Sequence, residues 1–156
     1  MDDDPQLQKR DWAVQRLARW LLLLLLAAVA MGLFGRGGPL STMHKARPDR
    51  SFAVDYERFI RYHSPDTIRL TARAAGNTTR LSMDARYAGQ IQIEQITPQP
   101  EREIGSDGAI TFVFATTPGT LLNANIYFTP EKYGRLDGWI ALGDGPRLHL
   151  SHFIYP

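Results

Sequence analysis

The sequence predicts a mainly β protein in which a single N-terminal transmembrane helix precedes an immunoglobulin-like β-sandwich of seven to nine strands. Three observations carry this expectation. Leu21–Phe34 is an unbroken apolar run. Beyond residue 50 the apolar residues recur at every second position, the period of a half-buried strand. Turn-forming residues interrupt that alternation every 8–12 residues, the spacing of a sandwich, with a small barrel as the second choice.

The run Leu21–Phe34 would be only about 21 Å long as a helix, short of a hydrocarbon core of about 30 Å. Extending it back past Trp20, Arg19, Arg16 and Trp12 supplies the missing length, because Arg side chains near a helix end reach to the headgroups and Trp favours the interface. Trp12, Arg16, Arg19, Trp20 and, beyond the run, Arg36 are therefore the expected interfacial residues. Ala28-Val29-Ala30 has the form of a signal-peptide cleavage site, but apolar residues continue through Met31, Leu33 and Phe34, which favours a retained anchor. Basic residues are equal in number on the two sides, and the close flanking by Arg16 and Arg19 places the N-terminus in the cytoplasm and the domain outside it. Ala27, Ala28, Ala30 and Gly32 would let a second helix approach closely. The expected division is a tail over 1–11, a membrane helix over 12–34, a Gly- and Pro-rich linker over 35–50 and the sandwich over 51–156.

Within the domain, strands are expected around Phe52–Tyr56, Ile68–Ala74, Leu81–Met83, Ile91–Ile93, Ala109–Ala115, Leu121–Phe128, Trp139–Leu142 and Arg147–Tyr155. Residues 57–62 and 130–136 have room for a single helical turn each.

Charge and chemistry exclude several classes of function. Residues 1–50 carry a net charge of +3 and residues 51–156 a net of −1, so the folded part lacks the basic excess of a nucleic-acid-binding domain. The chain has no cysteine, which removes disulfides, thiolate metal sites and a Cys nucleophile. His149 and His152 form an H-x-x-H pair, but on a strand residues three apart face opposite ways, so no metal is expected, and one imidazole should be exposed while the other packs. His44 and His63 are expected in solvent. No G-x-S-x-G elbow or phosphate loop is present, and no catalytic residue or cofactor is expected. Two features point instead to contacts. Arg69 and Arg73 share one strand face and form a candidate anion patch, with Arg58, Arg61, Arg80 and Arg86 as residues that could join it. Nine aromatic residues, Tyr56, Phe59, Tyr62, Tyr127, Phe128, Tyr133, Trp139, Phe153 and Tyr155, are too many for a core this size to hide, and the terminal Phe153-Ile154-Tyr155-Pro156 is a candidate partner interface.

At Val54-Asp55-Tyr56-Glu57-Arg58-Phe59-Ile60-Arg61-Tyr62-His63-Ser64-Pro65, and again at Phe153–Pro156, the chain resembles small single-pass inner-membrane proteins of proteobacteria that have no assigned function. The resemblance covers the anchor and the whole domain, implies a bacterial, periplasm-facing location and transfers no active residue. The expected role is a non-enzymatic accessory subunit, its helix in the lipid bilayer against a larger polytopic membrane protein and its domain capping that partner. The alternative is an anchored module binding an anionic ligand, a lipid headgroup or envelope material. Removal of Phe153–Pro156 is expected to weaken assembly without unfolding the domain.

Overall fold

The computed structural model describes residues 5–30, 41–106 and 108–156. The first element is the helix α1 (Pro5–Ala30). It begins seven residues earlier than expected, on a proline, whose missing N–H costs nothing in a first helical turn. Its run Leu21–Leu26 is at least half exposed at every position. Among the described residues no helix is long and apolar enough to cross a membrane. The uninterrupted apolar stretch described in α1, Leu21–Ala30, measures about 15 Å at helical rise. The last part of the expected span, 31–34, lies outside the described residues.

The remainder is mainly β and forms two sheets. In chain order the elements are β1 (Thr42–Ala46), β2 (Phe52–Glu57), β3 (Phe59–Arg61), β4 (Asp66–Arg73), β5 (Thr78–Asp84), α2 (Ala85–Ala88), β6 (Ile91–Thr97), β7 (Arg102–Ser106), β8 (Ala109–Ala115), β9 (Leu121–Pro130), β10 (Gly134–Leu142) and β11 (Leu148–Tyr155). The first sheet runs β1-β2-β4-β9-β6 and the second β3-β11-β10-β5-β8-β7. Every pairing is antiparallel except β3 with β11.

Eleven strands replace the expected seven to nine, and β1, β3 and β7 are the additions. The linker expected over 35–50 is shorter, because Thr42–Ala46 pairs in register with Glu57–Ala53. Lys45 lies opposite the buried Val54, covering the sandwich edge with an aliphatic stem where a sequence pattern shows only charge. The turn expected within 57–62 is the strand β3, and residues 130–136 lead straight into β10. The helix beyond residue 50 is instead α2, capped by Asp84, whose carboxylate accepts from Arg86 N at 2.9 Å.

The two sheets close on one core because each long strand alternates inward and outward side chains. Phe52, Val54, Ile68, Leu70, Ala124, Ile126 and Phe128 from the first sheet meet Leu81, Met83, Phe112, Phe114, Leu136, Ile140, Leu150 and Ile154 from the second. The register defines two ends. At one, Ser41 O accepts from Arg58 N at 2.7 Å and Tyr155 O from Tyr62 N at 2.7 Å, so the chain enters the domain and finishes its last strand at the same end, called here the entry end. At the opposite, far end lie Arg47, Ser51, Arg73 and Gly143, tied by Arg47 N to Phe52 O and Arg73 N to Ser51 O, both at 2.8 Å.

Candidate functional site

Three places could serve as sites: a buried histidine, the outer face of the first sheet, and the aromatic corner of the entry end.

On β11, His149 is exposed and His152 is buried, the opposition expected for residues three apart on a strand. The imidazole of His152 bridges the sheets. Its Nδ1 lies 2.7 Å from Glu57 O, and a carbonyl can only accept, so Nδ1 carries the proton. Nε2 is then the acceptor for the Tyr87 hydroxyl at 2.8 Å. Tyr56 and Phe128 rings stand edge-on to it, with centroids 5.0 and 6.0 Å away. Burial lowers the His152 pKa to about 4, although the Glu57 carbonyl and Asp137 pull the other way. Burial also raises the Tyr87 phenol well above its ordinary range. A neutral imidazole with both nitrogens bonded and no exposed edge is a structural strut, not an acid–base catalyst. Among the described residues no group of three or more His, Asp and Glu side chains is placed to hold a metal ion.

On the outer face of the first sheet a concavity of about 440 Å³ is lined by Thr42, Asp55, Glu57, Asp66, Thr67, Arg69, Glu94 and Tyr127. Arg69 is in register with Asp55, and Asp55 with His44, whose Nδ1 sits 2.5 Å from the carboxylate. His44, expected in solvent in a tether, is exposed, but it lies on a strand and meets Asp55 across it. The Glu57 carboxylate accepts from the hydroxyls of Ser41 and of Thr42, the latter at 2.9 Å, and fixes the start of the domain. Four carboxylates around one guanidinium make this surface repel anions. The anion patch expected from Arg69 and Arg73 therefore does not exist as a pair. Both point outward from β4, but they stand about 13 Å apart along the strand, and Arg73 belongs to the far end.

The aromatic corner lies at the entry end. Phe59 and Phe153 meet edge to face, with centroids 6.5 Å apart on the parallel pair β3–β11. Beside them Tyr62 stacks on His63 at 3.9 Å and takes the ring of Tyr133 at 6.0 Å, nearly perpendicular. Tyr133 is 75% exposed and Phe153 51% exposed, high for rings of this size. Arg58 lies over Phe59 with its guanidinium carbon 5.5 Å from the centroid. Of the C-terminal residues expected to form an interface, Phe153 is available, Tyr155 is half-buried and Pro156 is exposed, while Ile154 is 2% exposed and belongs to the core. The correction has a simple cause: β11 is an interior strand between β10 and β3, and alternation sends Ile154 inward. Of the nine aromatics, Tyr56 and Phe128 are fully packed, and the corner gathers Phe59, Tyr62, Tyr133, Phe153 and Tyr155. A sequence alone cannot show that 59–62 and 133 converge on 153–155.

In α1, Trp12, Arg16, Arg19 and Trp20 are exposed, and the Arg16 guanidinium lies 4.3 Å from the Trp12 ring centroid. Ala27 and Ala30 are exposed and Ala28 half-exposed, while Gly32 and Arg36 lie outside the described residues. No protein-family model matches the chain, and no curated protein matches it.

Proposed function

We propose that the chain is a non-enzymatic accessory subunit of a bacterial inner-membrane complex. In this reading the sequence span 12–34 is the bilayer anchor, with the N-terminus in the cytoplasm. It packs on a larger polytopic protein through Ala27, Ala28, Ala30 and Gly32, and the periplasmic domain rests on that partner's outer face. The observation that carries the proposal is the position of the aromatic corner at the end where the chain arrives from α1. Ten residues, 31–40, separate Ala30 from Ser41, which keeps Ser41, at the same end as the corner, within about 40 Å of the helix end. An exposed cluster of Phe and Tyr rings there is suited to a protein surface emerging from the same membrane. The leucines of α1, exposed all round, support the anchor, since water gives such a stripe no partner.

The test is mild-detergent extraction of the tagged full chain from its membrane, followed by native separation and mass spectrometry. Stoichiometric co-migration with one polytopic protein is expected, and it should be lost in Tyr133→Ser with Phe153→Ser, both exposed, while the variant stays folded. A wild-type chain that migrates alone in several detergents would end this reading.

A further inference from the structure

We infer that the far end of the sandwich is a binding site for a phosphoryl-type oxyanion, formed by Arg47, Arg73 and Arg80. The site stands whether or not the chain is an accessory subunit. A groove of about 490 Å³ opens between the sheets there, lined by the three arginines with Ser51, Ala75, Thr78, Thr79, Leu142 and Gly143. No carboxylate lines it. The nearest acids along the chain lie outside its lining: Asp49 accepts from Ser51 N and Oγ at 3.0 and 2.8 Å and is also attracted by the charge of Arg47, and Asp144 is exposed in the adjoining turn. Among the described residues none of the three guanidiniums is within ion-pair distance of a carboxylate, as Arg135 is of Asp137.

Arg47 is built into the wall. Its Nη2 donates to Leu142 O at 2.9 Å and Pro146 O at 3.2 Å, and its guanidinium carbon lies 5.5 Å from the Phe52 ring centroid. Gly145 leaves room for it: a Cβ at that position would come within 2.4 Å of Nη2. Yet Nε of Arg47 is buried and has no hydrogen-bond partner. Its burial closes that N–H to a ligand in the groove; a guanidinium fixed by two carbonyls and flanked by two exposed ones is the arrangement that receives an anion with several acceptor oxygens. The hydroxyl of Thr79 is turned away from such a role, because Thr116 donates to Gly76 O at 2.9 Å and so accepts from Thr79 at 3.0 Å. Recognition therefore rests on the arginines.

The volume exceeds one phosphate, which points to a phosphoryl group attached to a small molecule. The groove lies at the end opposite Ser41, where the chain arrives from α1, which favours a ligand in solution over a headgroup of the same bilayer.

The test uses the full chain in phosphatidylcholine nanodiscs, titrated calorimetrically with inorganic pyrophosphate and, separately, with dihexanoyl phosphatidylglycerol below its micellar concentration. Saturable binding is expected, at least tenfold weaker in Arg73→Gln and in Arg80→Gln and unchanged in Arg69→Gln on the acidic face. Pyrophosphate binding identifies a soluble phosphoryl ligand, and binding of the short-chain lipid alone identifies a headgroup at the same arginines. Binding of neither probe, or equal loss in Arg69→Gln, overturns the site.

Discussion

His152 is the residue on which most of the polar interior depends. Its Nδ1–H is used by Glu57 O and its Nε2 by Tyr87, so protonating it leaves a buried cation with one donor facing another. The folded chain resists that proton until about pH 4, whereas the unfolded imidazole takes it up near its ordinary 6.5. Stability contributed by His152 is thus complete above pH 6.5 and is lost as the pH falls from 6.5 towards 4, by about 3 kcal/mol in all. Denaturant titrations at pH 7 and pH 4.5 should show this loss, and His152→Gln should flatten the difference while lowering stability at both. Tyr87 imposes a second condition. A Cβ at Gly138 would lie 2.5 Å from that of Tyr87, so Gly138→Ala must displace the ring that holds His152. A cost of about 1–3 kcal/mol is expected, from overpacking and a weakened Tyr87–His152 bond together. An unchanged thermal midpoint in Gly138→Ala would show that the helix α2 yields more readily than its packing implies.

At the scale of elements, the last strand decides what the C-terminus can do. β11 pairs with β10 on one side and with β3 on the other, and Ile154 is in the core. Removing Phe153–Pro156 should therefore unfold or strongly destabilise the domain, by at least the 2–5 kcal/mol of an emptied Ile site. A truncated chain with native circular dichroism and an unshifted melting temperature would contradict this. The eight strands with apolar alternation are legible in the sequence because each has at least one side facing the shared core. The three that are not, β1, β3 and β7, are three of the four sheet edges. Edge strands are short and charged because a long apolar edge would invite other chains, and that protection erases the period-two signal. β7 is exposed at every residue, and β1 faces inward with Met43 and Lys45. The same blindness hides Arg47, whose partners are backbone carbonyls a hundred residues away, and which reads as linker. For Arg69 and Arg73 the sequence shows their common face but not the acidic neighbours that β2 and β6 bring to Arg69.

For the molecule as a whole, every residue of the core cluster falls between Phe52 and Ile154, and none belongs to α1. Residues 41–156 expressed alone should fold cooperatively, with dispersed amide resonances and slow hydrogen exchange in β4, β9 and β10. Poor dispersion would mean that the domain needs its helix or a partner. The two ends of the sandwich differ in chemistry as well as position, with rings at the entry end and guanidiniums at the far end. The way the chain enters has a mechanical side. β1 is an antiparallel edge strand whose first pair, Thr42 with Glu57, lies nearest the point where the chain enters the domain. If, as proposed, the domain is held by a partner at that end, a pull on the chain ahead of Ser41 would unzip β1 from β2 pair by pair instead of shearing the pairs together. Freeing its five residues would add about 17 Å of slack before the core felt any load. In a single-molecule pull on Ser41, a short low-force step ahead of the main rupture would be the mark of a tether that lengthens to spare the fold.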